Sequence, residues 1–331
     1  MESSSKILVH MYVRLPVSLS VTTGCLNRSY RTSISGISGI LRTPTLEWTG
    51  EEPVLVFNGL QDLALRRLKQ HYEHNLWGGV SRWNKNIRKP LVTHLKACIF
   101  EFEVEQTSIQ YSNYLYGLGH PQGEQLTEIF SSYDEWFEDF RTWLEALTMQ
   151  DLERSDRPKS MQMVGSGLLI WTEPNDLISL PASANHIKLS IDKTLERYKI
   201  SLPKMRLALK LTESGSLPPL THILLRDSRA AFRRRQYRRA VIDAGSAVET
   251  CLKDYAAARG INLGARPMLG SIINNGPLQS LIHMPPNTQA KLVNTRNDAI
   301  HHNRVPSQHQ TKAAISIATK IITTAEPLPR S

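Results

Sequence analysis

The chain has 331 residues, enough for about two domains, and its 40% hydrophobic and 21% charged residues are typical of an ordinary soluble protein. It contains no apolar run near the roughly 20 residues of a bilayer helix, no secretory signal pattern and only three widely spaced cysteines, so we expect a cytoplasmic protein without membrane contact. The net charge of +10 is unevenly placed: residues 1–215 hold 24 basic and 24 acidic residues, and residues 216–331 hold 16 and 6.

The first part of the chain contains short stretches that predict β-strands. They alternate or are continuously apolar, and they are rich in β-branched and aromatic residues. The predicted strands are Ile7–Val21, Pro53–Phe57, Cys98–Val104 and Val164–Trp171. Residues 173–176 read as a turn, and the Ser- and Gly-rich residues 29–39 read as a loop.

Segments whose apolar residues have helical spacing lie between and after these predicted strands. Residues 60–72 and 124–147 have apolar positions three to four residues apart, and residues 187–211 predict one or two connecting helices. A helix-breaking stretch at residues 214–219 then marks a boundary. We therefore expect residues 1–215 to form an α+β domain, whose topology the sequence leaves open.

The last third is almost purely helical in pattern. Residues 221–235 and 238–259 predict a helical hairpin, with Gly260 as the cap after the second helix. A connector rich in Gly and Pro (264–286) precedes a third helix at residues 288–302. A fourth helix follows at residues 308–324, with Ser307 as its cap. Short links between amphipathic helices predict an all-α antiparallel bundle for residues 216–331.

The excess of Lys and Arg over Asp and Glu in residues 216–331 suggests a polyanionic partner for this part of the chain. Clustered Lys and Arg side chains bind phosphates and release counterions. The alternative reading is that the charge only serves solubility. The densest cluster, Arg233-Arg234-Arg235-Gln236-Tyr237-Arg238-Arg239, can hold an RNA backbone with Tyr237 stacked on a base, or it can be a solvated turn with cations near a helix C-terminus.

One motif stands out in the third helix. Arg296 is followed by Asn297 and, five residues after the arginine, by His301. With the Ala-rich segment 239–249 that ends in Glu249, it resembles the HEPN (higher eukaryotes and prokaryotes nucleotide-binding) family over about residues 216–326. The resemblance implies a bundle that dimerises and, in many members, cleaves RNA without a metal.

The motif residues suit that chemistry. Cleavage needs a base for the 2′-hydroxyl, an acid for the departing 5′-oxygen and positive charge at the phosphorus. His301 can serve as acid or base because imidazole as a chemical group exchanges protons near neutral pH, and Arg296 can grip two phosphate oxygens through its planar fork. One histidine per chain cannot readily supply both base and acid, which favours two chains sharing one cleft.

Helix geometry assigns further roles and leaves alternatives. Asn297 lies four residues before His301, on the same face, where its amide can orient the ring. Arg296 is about 140° around an ideal helix from His301. His302 also satisfies the family spacing and competes with His301. Glu249 can contact Arg296 or Asn297, or be a solvated carboxylate; the motif can also be no more than surface ion pairs.

The sequence thus predicts a homodimeric, metal-independent endoribonuclease of a prokaryotic toxin or antiviral-defence type, without a cofactor. The N-terminal domain would recognise a trigger, restrain the nuclease or position RNA. Two alternatives remain, both built on the same helices. One is a catalytically inactive bundle that binds nucleic acid or serves assembly, and the other is a partner of a nucleotidyltransferase.

Overall fold

The computed structural model describes residues 6–34, 36–57, 77–84, 86, 89–105, 124–148, 152, 168–172, 177–179 and 199–329. Its N-terminal part is a strand-rich sheet region and its C-terminal part is helical. The strands are β1 (Lys6–Val21), β2 (Ser29–Ile34), β3 (Ile37–Arg42), β4 (Thr45–Thr49), β5 (Glu52–Val56), β6 (Gly78–Asn84), β7 (Lys89–Glu105), β8 (Leu168–Thr172) and β9 (Leu177–Ser179). The helices are α1 (Glu124–Thr148), α2 (Leu202–Glu213), α3 (Leu220–Arg233), α4 (Tyr237–Ala257), α5 (Leu269–Ile273), α6 (Gly276–Leu281), α7 (Thr295–His301) and α8 (Gln308–Ala325).

Seven strands form one sheet in the order β2-β3-β7-β1-β8-β9, with β6 also paired to β7, and β4 pairs with β5 separately. The long strands β1 and β7 pair antiparallel along most of their length and form the centre of the sheet. Their middle residues are buried on both faces, as Met11 and Tyr12 illustrate. This explains why β1 reads as a nearly continuous apolar run in the sequence.

The predicted loop at residues 29–39 is wrong. These residues form the hairpin of β2 and β3, which pair from Ser29 with Arg42 to Ile34 with Ile37. Tyr30, Thr32 and Ile34 alternate into the core, and Gly36 supplies the left-handed turn with a φ of 75°. Ser29, Ser33 and Ser38 occupy less buried positions of the hairpin. The serine-rich composition therefore concealed the alternation of buried and exposed residues that is typical of a strand.

The predicted helix at residues 124–147 is confirmed as α1, and its aromatic residues Tyr133, Phe137 and Phe140 are buried. The observed strands overlap the four predicted ones, except that residues 164–167 lie outside the described part. Also outside it are the predicted helix at 60–72, the turn at 173–176 and residues 187–198 of the predicted connecting helices.

The chain divides into two compact units. The first comprises Met1–Leu144 and Leu152–Ser216, and the second comprises Glu145–Asp151 and Leu217–Ser331. The boundary near residue 216 falls within the helix-breaking stretch of the sequence. No feature of the sequence indicated that residues 145–151 group with the second unit.

The second unit is organised around α4, which packs against α3 and α8. The apolar positions Val241, Ala244, Val248 and Leu252 of α4 are buried, and so is the apolar face of α8. At the start of α8, Ser307 accepts a hydrogen bond from the Gln310 amide at 3.2 Å, while its own amide donates to Gln310 Oε1 at 2.9 Å. The predicted helices at residues 238–259 and 308–324 and the Ser307 cap are therefore confirmed.

Two segments of this unit differ from expectation. The connector contains the short helices α5 and α6, where Asn275 caps a first turn that includes Pro277. The predicted third helix is a π-helical segment, Gln289–Asn294, continued by α7. Among the helices of the described residues, none has the length and apolar composition needed to cross a bilayer.

Candidate functional site

The Arg296 side chain crosses α4 at Gly245. A Cβ atom built on Gly245 would lie 2.2 Å from Arg296 Cδ and 2.9 Å from its Nε. The absence of a side chain at Gly245 therefore creates the groove through which the arginine passes. The neighbour that approaches this glycine is thus a side chain of α7.

Beyond this groove, Arg296 forms an ion pair with Glu249. Its Nη2 donates to Glu249 Oε2 at 3.0 Å, and the two side chains are only 18% and 20% exposed. The other carboxylate oxygen accepts from Lys253 Nζ at 2.7 Å. Glu249 therefore holds two cations, and the contact that the sequence allowed between Glu249 and Arg296 is present.

This pairing limits how Arg296 can meet a phosphate. Its Nη2 is bonded to Glu249, and its Nε is buried against α4 with no hydrogen-bond partner among the described residues. The side-on fork of the guanidinium is thus turned toward the protein. Since Glu249 engages only one Nη2 hydrogen and Nη1 carries two more, the grip on two phosphate oxygens stays a prediction.

His301 and His302 lie at the end of α7, and both are exposed. His301 is the last residue of the helix and His302 is the residue that caps it. In the described part of the chain, no side-chain hydrogen bond joins Asn297 to His301. The expected orientation of the ring by this amide is therefore not observed, because the helix ends at His301 and leaves the ring in solvent.

The chain reverses directly after these histidines. Asn303 adopts a left-handed φ of 51°, and the amides of His302 and Arg304 both donate to the carbonyl of Asp298. The Asp298 carboxylate lies 3.7 Å from Arg304 Nη1 at the surface. Asp298 thus helps to close the helix end.

Arg238, which the sequence assigned to RNA binding, bonds to the same helix. Its Nε donates to the carbonyl of Ala299 at 2.9 Å. Arg238 lies near the start of α4 and contacts Ala299, and Glu249 lies near the middle of α4 and contacts Arg296. Since Ala299 follows Arg296 in the sequence, α4 and α7 run in opposite directions at these two contacts. No sequence signal identified this role, because the acceptor is a backbone atom 61 positions away.

Other residues of the arginine cluster also have partners within the protein. Arg239 Nε lies 3.4 Å from Asp243 Oδ2, and the Tyr237 ring packs 5.7 Å from that of Phe232. Arg235 has a left-handed φ of 60° in the turn between α3 and α4, where it is exposed along with Arg234, whereas Arg233 ends α3 and burial lowers the pKa of its guanidinium. Because Arg238 contacts Ala299, this turn lies at the same end of the unit as His301.

Within the described residues, no group of three or more His, Cys, Asp or Glu side chains is arranged to hold a metal ion. The candidate site thus consists of Arg296 on α7, which is paired with Glu249, the exposed His301 and His302 at the end of that helix, and the arginine turn, by which we mean the turn between α3 and α4 that contains Arg234 and Arg235.

Comparison with known proteins adds no relative: no protein-family model, curated protein or solved structure matches this chain.

Proposed function

We propose that the C-terminal unit is a domain of the HEPN type, an antiparallel helical bundle, and that it is a metal-independent endoribonuclease acting as a homodimer. The observation that supports this most is the Arg296–Glu249 pair, which joins the motif helix to α4 across Gly245. It gives the motif arginine a fixed place in the helical core. Exposed histidines follow on the same helix, beside the basic turn.

In the proposed reaction, the 2′-oxygen of a ribose attacks the adjacent phosphorus and the bond from phosphorus to the 5′-oxygen breaks. A base takes the 2′-hydroxyl proton, and an acid returns a proton to the departing 5′-oxygen. His301 serves one of these steps and the His301 of a second copy serves the other. The products carry a 2′,3′-cyclic phosphate and a 5′-hydroxyl, so atoms balance without water or metal.

Arg296 supplies positive charge at the phosphate. Glu249 neutralises part of that charge, and Lys253 restores it, so the three side chains carry one net positive charge. The exposed arginines between α3 and α4 would guide the RNA backbone, because phosphate contacts position a strand without reading its sequence.

We further propose that the N-terminal unit recognises a trigger, restrains the nuclease or positions its substrate, within a toxin or antiviral-defence system of the prokaryotic cytoplasm. The three cysteines of the chain, Cys25, Cys98 and Cys251, are buried and unpaired, which supports a reducing compartment.

A second candidate is a catalytically inactive module that binds nucleic acid or serves assembly. It is favoured by the partial burial of Arg296 and by the engagement of its Nη2 with Glu249, since a purely structural arginine would look the same.

The two candidates differ in a cleavage assay. Purified full-length chain, His301→Ala, His302→Ala and the exposed control His283→Ala are incubated with mixed RNA in EDTA. The ribonuclease proposal expects cleavage by wild type and His283→Ala and its loss in His301→Ala. RNA bound by wild type but not cleaved favours the inactive module. Loss in His302→Ala alone would move the reactive role to His302.

A further inference from the structure

We infer that Arg238 caps the C-terminal end of α7 and thereby fixes the position of His301 and His302 relative to the arginine turn. The effect of this cap on catalysis rests on the proposed function, whereas the capping of the helix end by Arg238 does not. Arg238 belongs to the cluster that would otherwise be assigned wholly to RNA.

The need for a cap follows from the length of α7. It has seven residues, and its last carbonyls lack donors within the helix. The carbonyl of Asp298 receives the amides of His302 at 3.1 Å and Arg304 at 3.2 Å. The next carbonyl, that of Ala299, receives the Nε of Arg238 at 2.9 Å.

The charge of Arg238 suits this position. A helix C-terminus carries partial negative charge, which a nearby guanidinium stabilises. Because the donor is Nε rather than a terminal nitrogen, the arginine stem must lie close to the backbone of α7. Lysine retains the charge but has no equivalent of the Nε–H group.

The position of the capped carbonyl connects Arg238 to the histidines. Ala299 is fully buried, so the peptide that Arg238 holds is anchored to the core on its other side. His301 and His302 follow two and three residues later, and Asn303 then reverses the chain. Losing the cap would let the last turn of α7 fray, and the backbone that carries both rings would lose its fixed position.

An Arg238→Lys variant separates this role from RNA binding. Positioning predicts that kcat falls by about tenfold, equivalent to about 1.4 kcal/mol, while KM and the salt dependence of RNA binding stay at wild-type values. If Arg238 only bound phosphate, Arg238→Lys would keep the charge and leave kcat and the salt slope at wild-type values, and only Arg238→Ala would raise KM and lower the salt slope by about one. Arg235→Asn, which keeps a residue that tolerates left-handed backbone, should raise KM and lower the salt slope by about one.

Amide hydrogen exchange gives a second readout that needs no catalysis. In Arg238→Lys and Arg238→Ala, the amides of His302 and Arg304 should exchange at least about tenfold faster than in wild type. Arg259→Lys makes the same substitution just past the other end of α4, and it should leave kcat and both exchange rates unchanged.

Unchanged exchange at these two amides would overturn the capping role, and a wild-type kcat in Arg238→Lys would overturn its effect on the histidines. If wild type cleaves no RNA, the proposed function fails, and the exchange rates alone still decide whether Arg238 caps the helix.

Discussion

Arg296 Nη2 lies 3.0 Å from Glu249 Oε2, although the two residues are 47 positions apart in the chain. Gly245, one helical turn before Glu249, provides the space that the arginine stem occupies. The pair therefore depends on three residues whose identities can be changed one at a time.

Replacing Gly245 by alanine should displace Arg296. The added Cβ would lie 2.2 Å from Cδ, a separation that real structures do not tolerate. Overpacking outweighs the gain in helix propensity, so we expect the free energy of unfolding to fall by about 1–2 kcal/mol in urea titrations.

Gly276→Ala is the matched control, because a Cβ there meets no atom within 4 Å. It should be neutral or slightly stabilising. Adding Arg296→Ala to Gly245→Ala should recover part of the lost stability. Equal effects of the two glycine substitutions would contradict the groove.

Replacing Glu249 by glutamine should destabilise the unit through Arg296. A partly buried guanidinium would lose its ionic acceptor, which costs about 1–3 kcal/mol of unfolding free energy. Lys253→Gln removes only the more exposed partner of the same carboxylate and should cost about 0.2–0.5 kcal/mol. A double-mutant cycle of Arg296 and Glu249 with no coupling energy would rule out the pair.

The buried His222 should make the protein less stable in mild acid. Burial lowers its pKa, and Arg229 adds to this, while the backbone carbonyl of Glu326, 2.9 Å from Nε2, opposes it. In the unfolded chain the pKa of histidine is about 6.5, so the unfolded state takes up the proton first as pH falls.

The stabilising contribution of neutral His222 is therefore complete above about pH 6.5 and is lost as pH falls toward its folded-state pKa. Urea titrations of wild type and His222→Gln test this: the stability difference between them should shrink from about pH 8 to pH 5. A difference that is constant over this range would contradict the assignment.

Asn297 should contribute less to cleavage than the sequence suggested. Its amide forms no hydrogen bond to His301 in the described part of the chain. We therefore expect Asn297→Ala to cleave RNA at close to the wild-type rate, whereas His301→Ala should lose cleavage. Initial rates on one RNA substrate measure this. Equal losses would show that the amide orients the ring in the working enzyme.

The sequence predicted best where local physics determines structure. The apolar stripes of α4 and α8 and the Ser307 cap depend on residues a few positions apart, and all are present. The β2–β3 hairpin was missed because its Ser and Gly composition resembles a loop. The helices α5 and α6 were missed because Pro277 and the neighbouring glycines break a simple pattern, although proline is accepted in a first turn.

The site was only partly predictable for the same reason. The residues of the Arg296 motif and the small residue at Gly245 are visible in the sequence, whereas the path of the arginine over that glycine requires two distant helices to pack. The hydrogen bond from Arg238 to the Ala299 carbonyl could not be predicted from the sequence, since every residue provides a backbone carbonyl.

The products of RNA cleavage test the central proposal most directly. Wild type and His301→Ala are incubated in EDTA with a synthetic RNA and with the same strand carrying a single 2′-deoxy substitution at the cleaved nucleotide. The masses of the fragments are measured by mass spectrometry. We predict 2′,3′-cyclic phosphate and 5′-hydroxyl ends from wild type, and no cleavage either at the deoxy position or by His301→Ala. Fragments with 3′-hydroxyl ends, or cleavage that survives both the deoxy substitution and the loss of His301, would contradict attack by the 2′-hydroxyl at this site.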